Sequence, residues 1–155
     1  MNEIERKFLV DTSRWKPRDA GTLYRQGYLS SHKERVVRVR LEGERAVLTI
    51  KGATKGITRA EYEYEIPHAD AVELLPMCEQ PVIEKTRHVE QHGDLTWEID
   101  VFHGVNDGLV IAEVELASED QAVERPPWVT DDVSEDPRYY NANLIAHPFS
   151  VWAKP

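Results

Sequence analysis

Three charges fall at every second position in the segment MNEIERKFLV: Glu3, Glu5 and Lys7. An extended chain puts alternate side chains on one face. That spacing draws up an acid, acid, base row on one wall, with Ile4, Phe8 and Val10 turned the other way. The same rhythm returns along the chain in Arg38 and Arg40, Lys51, Glu61 to Glu63 to Glu65, Lys85 and Arg87, Glu98 and Asp100, and Glu113 and Glu115. The opposite parity is mostly apolar: Val37, Val39 and Leu41, then Leu48 and Ile50, Tyr62 and Tyr64, Trp97 and Ile99, Val114 and Leu116.

A sheet with one core face and one solvated face gives such alternation, and a sandwich with its charges outside is the plain reading of the periodicity. Two features oppose it. Solvated faces mix in Ser, Thr, Asn and Gln, whereas these positions are nearly all ionisable. Their signs are also sorted by segment, and like charges side by side repel. A closed barrel with the charges inside would need counterions, because unpaired buried charge is costly. A polyanion and a hard divalent cation answer both signs. Arginine grips phosphate oxygens by a bidentate fork and lysine as a point charge. Carboxylates hold Mg²⁺, which keeps waters and bridges to substrate phosphates.

The elements that carry these rows are expected to be eight strands: Asn2–Val10, 23–30, 36–42, 46–51, Thr58–Ile66, 82–91, Leu95–Phe102 and 109–117. Short hairpin links at Gly43-Glu44, residues 52–57 and His92-Gly93-Asp94 make neighbours antiparallel. A short helix is predicted over 69–79, broken near Pro76. Ser118 and Gln121 read as a capping box opening a helix that stops before Pro126-Pro127. The tail 137–146, with Tyr140, Leu144 and Ile145, reads as a segment lying across a sheet or plugging a barrel end. The fold class is therefore mainly β (α+β), a barrel or a sandwich with few helices.

At 155 residues the chain is expected to form a single domain, 1–155. A formal net charge of −9 speaks against a nucleic-acid coat or a membrane-surface role. No leader pattern or long apolar run is present, so neither a signal peptide nor a transmembrane helix is expected. One cysteine, Cys78, leaves no intrachain disulfide. A reducing cytoplasmic home follows. Cys78, Trp97 and Trp128 read as packing residues, and His88 and His92 as surface ones. Gly27 marks a bend or a close approach.

Glu3-x-Glu5-x-Lys7 resembles the ExExK signature of the CYTH, or triphosphate tunnel metalloenzyme, superfamily. The later rows continue the likeness in order, through about residue 147. RQGYLS (25–30), EKTRH (84–88), WEIDVF (97–102) and PRYYN (137–141) look like the short bacterial inorganic triphosphatases of that superfamily. The resemblance implies a closed eight-stranded antiparallel tunnel, a small-molecule triphosphate substrate, and one or two divalent metals, Mg²⁺ or Mn²⁺ in its place. It implies phosphate contacts from Lys7, Arg38, Arg40, Lys51, Lys85 and Arg87. Metal contacts fall to Glu3, Glu5, Asp100 and Glu115, supported by Glu61, Glu63, Glu98 and Glu113. Tyr28 and Lys85 match a pair associated with activating water, and for Lys85 a role as base or as plain phosphate clamp stays open. Class IV adenylate cyclase, thiamine triphosphatase and a non-catalytic polyphosphate-binding module are the alternatives. Nucleic acid and membrane are not expected partners; monomer and homodimer are both open.

Overall fold

The computed structural model of the protein describes residues 2–152. Its strands are β1 (Asn2–Val10), β2 (Thr22–Ser30), β3 (Arg35–Glu42), β4 (Arg45–Gly52), β5 (Thr58–Ile66), β6 (Ile83–His92), β7 (Leu95–Phe102), β8 (Val110–Glu115) and β9 (Val129–Asp132). Neighbours run in the order β5-β4-β3-β2-β6-β7-β8-β1, and β1 pairs back onto β5, so the sheet is a closed eight-stranded antiparallel barrel. Glycines 43 and 93, both at positive φ, turn two of the hairpins. Closure leaves no free edge among these eight.

One edge of β1 is shared. Asn2, Glu3 and Ile4 pair with β5, while Phe8 and Val10 pair with β9. In the gap between, the Lys7 backbone N–H donates to Ser134 Oγ (2.8 Å) and its carbonyl accepts from Val133 N (2.9 Å). β9 is a strand the sequence did not disclose. The helix expected after Ser118 is absent: Gln121 Oε1 accepts from the Ala117 N–H at 2.6 Å, residues 119–120 form a turn, and 121–126 are neither helix nor strand. Proline disfavours a helical residue before it, and the helix-free path lets Val123 and Trp128 reach the barrel wall.

The outer wall is covered in patches. Over β1, β7 and β8, Trp15 and Trp128 lie on Phe8, Trp97, Ile99 and Val114. The helix α1 (His68–Leu74), with Leu75 and Cys78 just after it, covers Val39, Leu41 and Ala46. Gly27 is a close approach: a Cβ there would lie 2.7 Å from Cys78 Cβ. Beyond the reach of α1, the outer side of β4 and β5 is exposed around Ile50, Tyr62 and Tyr64. Ile50 faces Tyr62 across the pair and Leu48 faces Tyr64, and the two tyrosines are 49% and 55% exposed. Apolar parity alone therefore did not imply burial on these strands. The third core joins Tyr28, Val36, Ile83, Phe102 and Ile111 to Tyr139, Leu144 and Ile145 of the tail, where α2 spans Asn143–Ala146. Fully burying one such aliphatic side chain contributes about 1.5–3 kcal/mol, so this segment is docked rather than trailing.

His88 is buried, against the surface position expected for it. Its ring packs edge-on to Trp15 at 5.5 Å and meets Asp19 Oδ1 at 3.2 Å. Next to it, Glu90 accepts from Trp15 Nε1 at 2.8 Å and contacts His92 Nε2 at 2.9 Å and Arg18 at 3.5 Å. Burial works to raise the Glu90 carboxyl, but the His92 and Trp15 contacts and the Arg18 charge outweigh it and hold the pKa below the usual range. A lowered folded pKa means this stabilisation is present above the unfolded value, near 4.3, and is lost as pH falls through the folded value. Glu90→Gln is accordingly expected to destabilise the protein at neutral pH, by a deficit that shrinks below about pH 4. Urea unfolding across pH checks this.

Candidate functional site

The barrel encloses a cavity of about 690 Å³. One parity of the strands lines it, because alternate residues of a barrel strand face inward. β1 supplies Glu3, Glu5 and Lys7; β3 supplies Arg38 and Arg40; β4, Lys51; β5, Glu61 and Glu63; β6, Lys85 and Arg87; β7, Glu98; β8, Glu113 and Glu115. Tyr28 borders the same space. The charges are inside, and the sandwich reading falls. Two residues of the charged rows do not line the cavity. Asp100 lies beneath it at 0% exposure, and Glu65 is exposed, paired with Arg45 at 3.4 Å. Lys55, in the β4–β5 loop, is not part of the lining either; Lys33 and Arg59 are.

Register explains the ion pairs. Arg87 sits directly across from Asp100 and Lys51 from Glu61. Arg87 forks onto Asp100 at 2.8 and 2.9 Å and reaches Glu98 at 3.1 Å. Lys85 Nζ is 2.8 Å from the same Asp100 carboxylate. Lys51 joins Glu3 at 2.9 Å and Glu61 at 3.2 Å, and Lys7 lies 3.7 Å from Glu113. Burial alone would raise the Asp100 carboxyl, but Lys85 and Arg87 hold it well below the usual range. Glu113 is depressed too, with Lys7 the main charge overcoming its burial. The Lys85 ammonium is pulled down to about 8, by burial first and Arg87 next, with Asp100 opposing.

Four groups of these rows form no ion pair among the described residues, Arg38, Glu5, Glu63 and Glu115, and the first two are the less exposed. Arg38 donates to Thr49 Oγ1 at 3.2 Å, has no carboxylate partner among the described residues, and its buried Nε has no acceptor. That is an open seat for an oxyanion. Glu5 pairs by Cα with Glu115 and forms no ion pair among the described residues. Its carboxyl is pushed up to about 8, by burial first, then by Glu113 and Glu3. That is a carboxylate in want of a cation.

Arg40 and Arg87 are braced by one ring. Both guanidinium carbons lie 4.8 Å from the centroid of Tyr24. Each such contact is worth about 0.5–2 kcal/mol. Tyr24→Leu is expected to loosen both arginines and raise KM for an anionic substrate about three- to tenfold, with Tyr24→Phe close to wild type. Steady-state kinetics on the two variants decides it.

The tail completes the lining with Tyr140, Asn141, Ala142 and Asn143, and the segment after β9 adds Ser134 and Glu135. Asn141 Oδ1 accepts from Lys85 Nζ (3.0 Å) and from Gln26 Nε2 (3.2 Å); Gln26 Nε2 also donates to the Tyr28 hydroxyl (3.2 Å). Gln26 and Asn141 were not candidates from the sequence. Gln26 stands on the inward parity with Tyr24 and Tyr28, which was the available signal; Asn141 reaches the site only because the tail docks.

No three His, Cys, Asp or Glu side chains among the described residues are gathered closely enough to hold a metal alone. Magnesium differs from an all-protein metal site in needing only one or two carboxylates beside waters and substrate oxygens. Glu5, supported by Glu3 and Glu115, fits that demand, since a cation there would relieve the repulsion that raises the Glu5 carboxyl.

A CYTH domain is matched over residues 1–148. The chain belongs to the CYTH family. The inorganic triphosphatase of Acetivibrio thermocellus is 49% identical over 148 residues, covering 95% of both chains. That of Nitrosomonas europaea is 40% identical over 148 residues, covering 93% of this chain and 97% of the other. The crystal structure of the inorganic triphosphatase NE1496 superposes with a TM-score of 0.66 at 36% identity, over 92% of this chain and 93% of that one. No helix among the described residues is long and apolar enough to cross a membrane.

Proposed function

We propose that this CYTH protein is an inorganic triphosphatase: it adds water to tripolyphosphate and releases pyrophosphate and phosphate, with Mg²⁺ as the divalent metal. One observation carries the reading. A single cavity is lined by Arg38, a guanidinium with no carboxylate partner and no acceptor at Nε, and by Glu5, a carboxyl with no basic partner among the described residues that burial and like charges push up. An anion rich in oxygens and a divalent cation satisfy both at once. An uncharged sugar or an apolar ligand satisfies neither.

Arg38, Arg40, Lys51, Lys7 and Arg87 bind the phosphate oxygens and fix the chain of three phosphoryl groups in the tunnel. Glu3, Glu5 and Glu115 hold the metal, with Glu61, Glu63, Glu98 and Glu113 supporting the charges around it. Bound there, Mg²⁺ would neutralise charge on the phosphoryl oxygens. Asp100 anchors Lys85 and Arg87 from below. Lys85 and Tyr28 stand at the reacting phosphoryl group, where phosphoryl transfer needs positioning and charge stabilisation more than covalent chemistry.

The test is phosphate release from tripolyphosphate, pyrophosphate, ATP and thiamine triphosphate in parallel, with Mg²⁺ and with chelator. Strong Mg²⁺-dependent release from tripolyphosphate with little from ATP is expected. Preference for ATP, or for thiamine triphosphate, would replace the substrate; silence on all four from folded protein would leave a binding module.

A further inference from the structure

The hydrogen bonds behind the reacting face run in one direction, and a group that can only donate sets that direction. Lys85 is 1% exposed, and its ammonium carries donors and no acceptor. Its contact with Asn141 at 3.0 Å therefore requires the amide oxygen of Asn141, not its nitrogen. That oxygen faces Gln26 at 3.2 Å, so Gln26 must present its NH₂ group. The same NH₂ reaches the Tyr28 hydroxyl at 3.2 Å, so the phenol oxygen accepts there. The Tyr28 proton then has to point elsewhere. Among the described residues no protein acceptor takes it, and Tyr28 borders the cavity.

The direction of the chain has a cost, which marks it as imposed from Lys85. Gln26 is wholly buried, and its Oε1 has no donor. Native structures rarely leave a buried carbonyl unsatisfied, and each exception calls for a reason. Turning the amide over would give its oxygen to Tyr28 but would set the amide oxygens of Gln26 and Asn141 3.2 Å apart, a repulsive contact between two acceptors that the chain from Lys85 forbids.

We propose that Lys85, Asn141 and Gln26 form a directed hydrogen-bond chain that fixes Tyr28 as a donor to a phosphoryl oxygen of the bound triphosphate. Tyr28 is then a catalytic residue acting by hydrogen-bond donation and not as a base. Gln26 and Asn141 are positioning residues, and the tail segment that carries Asn141 is part of the active site. The assignment rests on the triphosphatase reading and specifies the role of one group within it.

A double-mutant cycle tests it. Tyr28→Phe, which removes the donor alone, is expected to lower kcat roughly ten- to hundredfold with KM changed by less than about threefold. Gln26→Leu is expected to lower kcat by about tenfold alone and to add nothing in the Tyr28→Phe background. Asn141→Ala behaves likewise, and Asn141→Asp, which keeps the acceptor oxygen, recovers most of the loss. Additive effects of Gln26→Leu and Tyr28→Phe, or full kcat in Tyr28→Phe, would overturn the chain. Asn141 is only partly buried, so its variants carry the test should Gln26→Leu fail to fold. Calorimetric binding of tripolyphosphate separates the two readings. A wild type that cleaves tripolyphosphate while the cycle is additive loses the chain alone. A wild type that binds but does not cleave loses the triphosphatase reading, and the cycle is then read in affinity, where additivity again overturns the chain. A wild type that neither cleaves nor binds loses both.

Discussion

Glu5→Gln is expected to reduce Mg²⁺-dependent phosphate release from tripolyphosphate by about 10³ in kcat while leaving the barrel at least as stable as the wild type. The two halves of this result have one cause. Burial, Glu113 and Glu3 push the Glu5 carboxyl up to about 8, so the ionised form is disfavoured wherever no cation offsets it. Glutamine keeps the shape and removes the negative charge. Removing that charge breaks no ion pair among the described residues, and the Lys7 ammonium, which Glu5 also supports, keeps Glu113 at 3.7 Å. A group that burdens the fold and is needed for turnover is the signature of a ligand seat. Steady-state kinetics with a Mg²⁺ titration, paired with thermal unfolding in chelator, checks both halves. Turnover close to wild type would remove Glu5 from the metal site, and a large drop in melting temperature would make it a structural carboxylate.

Asp100→Asn is expected to behave in the opposite sense, losing stability and activity together. Asp100 is wholly buried and neutralises two cations at once, Lys85 at 2.8 Å and Arg87 at 2.8 and 2.9 Å. Taking the charge from one partner of a buried pair strands the other, at a cost of about 3–5 kcal/mol. Against a total stability of about 5–15 kcal/mol that is a large share, so the variant should unfold at markedly lower urea. Arg87 would also lose the fork that aims it past Tyr24, and Lys85 one of its two oxygen partners, so kcat/KM should fall by about 10² or more. Urea denaturation and kinetics on the same preparation distinguish this from Glu5→Gln: a variant with unchanged urea midpoint would mean that Asp100 is not the anchor of the basic wall.

The contrast between these two acids marks where the sequence stops being informative. Both stand in the same alternating pattern, Glu5 in the first row and Asp100 beside Glu98, and the family resemblance implies metal contacts for both. Which one is free and which is bound to bases is a matter of register. Arg87 falls opposite Asp100, whereas Glu5 falls opposite Glu115. Register follows from hairpin lengths and barrel stagger summed over many strands, and no local window of residues contains it.

Period-2 alternation needs only the residues of one strand, which is why the eight strands, the hairpins and the shared parity of Arg38, Arg40, Lys85 and Arg87 were legible directly. Periodicity left barrel and sandwich open; the density and sorting of the charges pointed inward, and the family resemblance implied closure. Contacts far apart in the chain were not legible. The short strand β9, the helix-free 118–128 segment, the buried His88 and the uncovered Tyr62 and Tyr64 each depend on which remote segment reaches the barrel wall. So does Asn141, 56 residues from Lys85 in sequence and 3.0 Å from it in space. The sequence by itself determined sorted rows of opposite charge whose chemistry suits a polyanion and a cation. Only the tertiary structure decided which carboxylates remain free for the cation, because burial and register, not residue type, decide which buried charges already have partners.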